Sequence, residues 1–358
     1  MAAIVWVCCL AIIATSAAQY NKAGRPTLVL AAPQQGDPKY AATYNEIIDF
    51  QIGYAQSIMA AGGDNVVIIA DDAAMAALSN DLPSDVLLYG EVWDIWIRDF
   101  APVGMSKPVF YRYAPNYLSK AVAKGVQDSL KKVLSDWNIQ VPAETNNFVL
   151  DGGTVVDNDY DKAVVTTRVY ADNAPPAYTK QEAKEQLEVN FNMDVAVLSE
   201  VEGDTTGHAD GMLSFVSRNA VAYTPTDASL TDAMLQQLDA VFGQGTVQTF
   251  EVDDLYVDET TDGFSSSCGL HVNAAVTDGF IYMPAFGQDP FLKTKGQSQA
   301  RDDGVQQQME AYTGKRVVQI QTSHAVCRQG GSVRCLTWQL KGSIADKLIA
   351  AAIQDDSL

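Results

Sequence analysis

Short runs rich in Val, Ile, Leu and aromatic residues recur along the chain, each bounded by Gly, Pro, Asp or Asn. They fall at 27–33 (TLVLAAP), 65–70 (NVVIIA), 85–90, 107–113 (KPVFYRY), 162–170 (KAVVTTRVY), 193–200, 212–217, 220–225, 279–287 (GFIYMPAFG) and 315–321. Runs of this length, closed by turn residues, predict β-strands. Between several of them, residues 40–61, 119–137, 179–190, 228–242 and 298–313 place their apolar positions at helical spacing. Strands alternating with helices predict an α/β fold. No linker or low-complexity segment divides the chain.

The start follows a different pattern. An apolar run from Ala2 to Ile13 is followed by small residues at Ala14, Ser16, Ala17 and Ala18. This reads as a secretory leader over residues 1–18 with cleavage near Ala18, although Lys and Arg are missing from its first residues. The run is shorter than the roughly 20 residues of a membrane span. The expectation is an exported protein with a single domain over 19–358 and no membrane association once the leader is removed.

A second periodicity emerges from the polar motifs. WIRDF around Asp99, LDGGTVV at Asp151, GHADGM at His208, HVNAAV at Asn273 and GGSVRC at Cys335 follow one another at steps of 52, 57, 65 and 62 residues. Five motifs at similar intervals, each beside a predicted strand, are what five similar modules would produce. Arranged about an axis, such modules would bring the motifs together at its centre.

Charge narrows the partners. The formal net charge is −20, and residues 1–18 contribute no charged side chain. A field this negative excludes nucleic acid and anionic membranes as natural partners and is compatible with a cationic substrate or with simple solubility. Outside the leader, which holds Cys8 and Cys9, three cysteines remain: Cys268, Cys327 and Cys335. An odd number in an exported chain leaves one thiol free. Cys268 and Cys327 are the expected pair, with Cys335 free behind Gly330 and Gly331. No Cys-x-x-Cys spacing supports a zinc site.

Few residues could act on a substrate. His208 is followed two positions later by Asp210, which on a strand would share its face. A nucleophilic cysteine needs such a partner, and histidine titrates in the useful range. His271 shares a predicted strand face with Asn273 and could support the site, whereas His324 reads as structural. Asp99, next to Arg98 and two tryptophans, is either half of a core ion pair or a carboxylate in an apolar pocket. Asp99 and Asp210 together could hold a planar guanidinium through paired hydrogen bonds. Cys335 is either a buried inert thiol or a nucleophile whose ionisation a neighbouring cation would favour.

Taken together, these motifs resemble the agmatine deiminase and bacterial-type peptidylarginine deiminase family, over about Thr27 to Gln339. DIWIRDFAP is similar to the family's Asp-x-Trp-x-Arg-Asp-x-Gly-Pro at Asp94, Trp96, Arg98, Asp99 and Pro102, and GHAD to its Gly-His-x-Asp at Gly207, His208 and Asp210. HVNAAVTDGFIYMPAFG resembles its Tyr-Val-Asn block, and QGGSVRCLTWQ its cysteine block. Four positions depart from the pattern: Ala101 for Gly, Asp151 for Glu, His271 for Tyr and Arg334 for His.

The resemblance implies a five-module α/β propeller with pseudo-fivefold symmetry. It implies hydrolysis of a guanidinium through a covalent intermediate on Cys335, with His208 as acid and base and with Asp99 and Asp210 gripping the substrate. No cofactor or metal is implied. Trp96, Asp151 and Asn273 are the implied substrate contacts, with Arg112 placed to meet a carboxylate. On that reading the substrate is arginine or peptidylarginine, with agmatine the alternative. A propeller that binds guanidinium without turnover is the reading from another class. A cysteine protease is disfavoured, because two carboxylates at the reacting carbon would repel an oxyanion.

Overall fold

The computed structural model describes residues 19–225 and 228–355, and the expected leader lies outside them. Three parallel strands, β1 (Thr27–Ala31), β2 (Asn65–Ala70) and β3 (Leu87–Tyr89), are connected by helices α1 (Tyr44–Ala61) and α2 (Asp72–Leu78). β1 and β2 are buried along their whole length, which is why they read as unbroken apolar runs. Leu28, Leu30, Val66 and Ile68 pack with α1 in one core cluster, and Val29, Ala31, Val67 and Ile69 belong to another.

A helical turn, α3 (Ile97–Phe100), carries Asp99, and helix α4 (Lys120–Asp136) follows between two extended segments. The next unit comprises β4 (Val155–Asp157), β5 (Lys162–Thr166), α5 (Arg168–Asp172), α6 (Lys180–Phe191) and β6 (Asp194–Leu198). Then come β7 (Leu213–Ser217), β8 (Ala220–Tyr223), α7 (Ala228–Phe242) and β9 (Gln248–Glu251). A hairpin of β10 (Thr260–Thr261) and β11 (Phe264–Ser265) precedes β12 (Ala275–Val276), β13 (Phe280–Ala285), α8 (Pro290–Thr294), α9 (Gln299–Thr313) and β14 (Arg316–Gln321). The short helix α10 (His324–Cys327) leads to β15 (Trp338–Leu340) and the closing helix α11 (Ser343–Asp355). Local chemistry sets several ends. Thr179 and Glu182 form a capping box on α6, and Gly62 and Gly314 end α1 and α9 in the left-handed conformation.

One unit recurs: a short strand pairs antiparallel with a second, which pairs in parallel with a third across a helix. β4-β5-β6, β7-β8-β9 and β12-β13-β14 follow it, and β15-β1-β2 follows it by joining the two ends of the described chain. The stretch 103–149 keeps the order but not the ladders. Val103 bridges Val109 antiparallel, and Phe110 and Arg112 bridge Ala143 and Val149 in parallel. The strand expected over 107–113 is therefore only a set of isolated bridges. Its partner segment loops out between Ala143 and Val149, while the expected strand advances only from Phe110 to Arg112, so a continuous ladder cannot form.

The α/β class is as expected. Of the propeller, the repeated unit is present, but the described residues form separate sheets and no sheet is closed. The run 162–170 is strand only to Thr166; beyond it the chain turns into α5, and Arg168 meets Glu200 at 2.9 Å. Cys268 and Cys327 are joined by a disulfide, and Cys335 is a buried free thiol. Among the described residues, no helix is long and apolar enough to cross a membrane.

Candidate active site

The recurring unit explains how distant motifs meet. In each case the polar residue lies in the turn just before an antiparallel pair: Asp99 before Val103, Asp151 before β4, His208 and Asp210 before β7, Asn273 before β12, and Cys335 before β15. Hydrogen bonds tie these turns to one another. Arg98 N donates to Cys335 O, Arg334 N to Asn273 O, and the buried Arg98 guanidinium to Gly152 O and Val155 O. Arg98 is thus a brace for the turn carrying Asp151, not the ion-pair partner of Asp99.

Cys335 is buried, and its sulfur receives a hydrogen bond from Asn273 Nδ2 at 3.2 Å. The thiol in turn faces the Asp210 carboxylate at 3.7 and 3.9 Å. Asn273 also holds the nucleophile's loop, because its Oδ1 accepts from Ser332 Oγ at 2.9 Å. Burial pushes the thiol pKa well above its ordinary value, and Asp210 and Asp99 push it further, against the lowering effect of Asn273. Without a bound cation, Cys335 is a thiol.

His208 Nε2 lies 3.0 Å from Asp151 Oδ2, an ion-pair contact without the alignment of a hydrogen bond. Burial opposes the imidazolium, but Asp151, Asp99 and Asp210 outweigh it and hold the pKa well above the usual histidine value. Asp151 is held by Tyr117 Oη and by Gly153 N at 3.1 Å. A Cβ on Gly153 would lie 2.2 Å from His208 Nδ1, so the second glycine of the Asp151 motif is where the imidazole packs. A Cβ on Gly331 would lie 2.4 Å from the Trp96 ring and 2.8 Å from Cys335 Cβ. Gly331, the second glycine of the pair before the thiol, thus gives Trp96 room to approach it.

Asp99 Oδ1 is closed off from solvent and has no hydrogen-bond partner. Burial, with Asp151 next, raises the Asp99 pKa well above the carboxylate range, and His208 offsets part of this. The Asp210 pKa is also raised by burial, against His208, Arg334 and Arg98. Three carboxyl groups therefore lie around one imidazole, and a flat cation with several N–H donors would favour their ionised forms. Asp99, Asp151 and His208 offer atoms within 4.8 Å of one another, a spacing that could also serve a metal ion. The carboxylates that raise the His208 pKa oppose that use, because ligation requires the neutral ring.

Two cavities meet at the thiol. One, of about 490 Å³, is lined by Trp96, Asp99 and Tyr113 among others. The second, of about 620 Å³, is lined by Asp210, Asn273 and Tyr256 among others. His208 and Cys335 line both, as do Thr206, Phe264 and Gly330. The two principal aspartates therefore open into adjoining cavities on either side of the shared imidazole and sulfur.

Arg112 is not brought to this site. Its side chain is exposed and lines neither cavity; neighbours alternate on an extended segment, and it is Tyr113 that faces the cavity. His271 is fully buried between Asp254, at 2.6 Å, and Asp302, at 3.0 Å. His324 pairs with Glu259 at 2.6 Å, away from the thiol's contacts. Sequence reasoning missed Tyr117, which donates to Asp151, and Phe264, whose ring packs edge to face on that of Tyr117 at 5.7 Å. A signal for Phe264 was available: Asp262-Gly263, both with positive φ, is a hairpin turn pair that delivers the next residue to the cavity wall.

Repeated α/β units whose turns gather a thiol, an imidazole and three carboxyl groups are the arrangement expected of a guanidino-group deiminase. The profile of the Porphyromonas-type peptidyl-arginine deiminases matches residues 22–340, and the chain belongs to that family. An agmatine deiminase of Medicago truncatula is 21% identical over 77% of this chain and 84% of its own length. Among solved structures, the C. jejuni agmatine deiminase is similar with a TM-score of 0.69 at 16% identity, covering 91% of this chain and 95% of that one. The Enterococcus faecalis agmatine deiminase reaches 0.67 at 14% identity, covering 89% and 93%. A Cys-to-Ser variant of the C. jejuni enzyme with substrate bound matches as its parent does, with a TM-score of 0.69 and 16% identity over 91% of this chain and 95% of its own.

Proposed function

We propose that this protein hydrolyses the guanidinium of an arginine, free or in a peptide, to a ureido group and ammonia. The observation that carries the reading is the buried, unpartnered Asp99 Oδ1 beside the Cys335–His208 pair. A guanidinium there would donate to Asp99 on one side and Asp210 on the other, with its carbon facing the sulfur. Its charge would oppose Asp210 and Asp99, which add to the effect of burial on the thiol, so substrate binding would favour the ionised nucleophile, the thiol proton passing to water.

The Cys335 thiolate then attacks the guanidinium carbon. The tetrahedral adduct expels ammonia, which takes its proton from His208, and an amidino-thioether remains. The neutral His208 next accepts a proton from water, the hydroxide adds to the same carbon, the thiolate leaves, and the hydroxyl proton passes to water as the ureido carbonyl forms. The propeller arrangement belongs to this proposal: the five turns would face a common axis with the substrate carbon at its centre. We also propose that the protein acts outside the cell, a reading supported by the Cys268–Cys327 disulfide.

One observation favours agmatine as a second reading. Among the described residues lining the two cavities, Lys39 is the one lysine or arginine, and Asp94 holds it at 2.8 Å. With Arg112 outside, a free carboxylate has no partner. The test is to assay ammonia and ureido product with arginine, an arginyl peptide amide and agmatine. At least one is turned over, and Cys335→Ala lowers the rate at least about a thousandfold. No turnover of any of them by folded protein contradicts the proposal, and tight binding without ammonia release points to a non-catalytic binder.

A further inference from the structure

The cavity holding Asp99 extends well beyond the space a guanidinium needs. At about 490 Å³ it falls in the range of roughly 300–1,000 Å³ that encloses a drug-sized ligand. Its outer wall is an apolar shelf of Trp93, Leu118, Val122 and Val126. Val122 and Val126 lie one turn apart on α4, so they present one face. Trp93 is 53% exposed and Val122 52%, so two of the large apolar side chains the protein leaves in water stand together at this one opening.

The shelf is held in place. A Cβ on Gly125 would lie 2.6 Å from the Trp93 ring, so α4 carries a glycine where the indole rests against it. Trp93 N donates to Ser129 Oγ at 3.1 Å, which anchors the residue to the same helix. The polar part of the mouth is acidic, with Asp37, Asp94 and Asp262, and its single cation is already paired.

Resting on the deiminase reading, we propose that the substrate is an arginine inside a peptide, its carboxyl group in amide linkage, with an apolar neighbouring side chain seated on the Trp93–Val122 shelf. Charge disfavours the free carboxylate, because the mouth is acidic and the single cation in the lining is already paired with Asp94. The shelf distinguishes a peptide from agmatine, whose tail offers methylenes and an amine but no bulky apolar group. Binding energy gained on the shelf, away from the reacting carbon, would hold the guanidinium over Cys335.

The test compares capped peptides in pairs: Ac-Arg-Leu-NH2 with Ac-Arg-Gly-NH2, and Ac-Leu-Arg-NH2 with Ac-Gly-Arg-NH2, with agmatine as the small reference. The proposal expects the Leu peptide of at least one pair to exceed its Gly partner about tenfold in kcat/KM, the effect of burying one aliphatic side chain. Val122→Asp, at an exposed position that tolerates charge, should remove that preference. Calorimetry with Cys335→Ala makes the same comparison without chemistry. Turnover of agmatine with equal rates for Leu and Gly peptides overturns the shelf and leaves the deiminase reading standing. Leu-selective binding without turnover of any guanidine leaves the shelf and ends the deiminase reading. Equal binding and no turnover overturn both.

Discussion

Asn273 reaches from the turn before β12 to donate a hydrogen bond to the Cys335 sulfur at 3.2 Å, while its carbonyl oxygen holds Ser332 of the nucleophile's own loop. One side chain both places the sulfur and favours its ionised form. A hydrogen bond to a charged group contributes about 1.5–3 kcal/mol, so Asn273→Ala should lower kcat/KM roughly 10- to 100-fold. The Cys335 pKa should rise further, since a contact that lowers it is lost. Iodoacetamide labelling against pH would read this as a shift of the alkylation profile to higher pH.

Asp151 is the largest of the influences that raise the His208 pKa. In Asp151→Asn, burial and the more distant carboxylates remain, so the pKa falls. The alkaline limb of the kcat/KM profile should move to lower pH, because the acid that protonates departing ammonia is lost earlier. A limb that does not move would show that His208 is not that acid.

Two glycines make a matched comparison. Gly153→Ala places a methyl group 2.2 Å from His208 Nδ1, whereas Gly304, in α9, has nothing within 4 Å. Gly153→Ala should lower kcat about 100-fold by displacing the imidazole. Gly304→Ala should leave kcat unchanged and stabilise the fold by about 0.4–1 kcal/mol. Thermal melts and steady-state rates on the two variants check both.

His271 predicts a pH dependence of stability. Burial would lower its pKa, but Asp254 and Asp302 raise it to about 9 from the ordinary histidine value of about 6.5. A pKa raised on folding gives stabilisation that is complete below about 6.5 and is lost as pH rises through about 9. The loss is on the order of 3 kcal/mol across that window. Denaturant unfolding between pH 6 and pH 10 should show it, and His271→Gln should be less stable at pH 6 and flatter in its response. An equally flat wild-type profile would contradict the assignment.

The site was legible in the sequence to the extent that the repeat was. Asp99, Asp151, His208, Asn273 and Cys335 each stand in a turn before an antiparallel pair, and a recurring turn leaves a recurring motif. The glycines beside Asp151 and Cys335 were legible for the same reason, since side chains pack where their Cβ atoms would be. Contacts that bypass the repeat left no local trace. Tyr117 reaches Asp151 from the loop before α4, and His271 finds Asp254 and Asp302 from elsewhere in the chain. Arg112 misled because residue type alone cannot say which face of an extended segment a side chain takes. The ladder expected over 107–113 failed on its partner's side, where the loop between Ala143 and Val149 breaks a pairing that 107–113 itself permits.

The central claim is that Cys335 attacks the guanidinium carbon, and the most direct measurement is the mass of the protein quenched in acid during turnover of an arginyl peptide amide or agmatine. The account predicts a species heavier by the substrate less ammonia, located on the peptide that contains Cys335 and absent from Cys335→Ala. Ammonia released at the full rate by Cys335→Ala, with no such adduct on the wild-type protein, would contradict it.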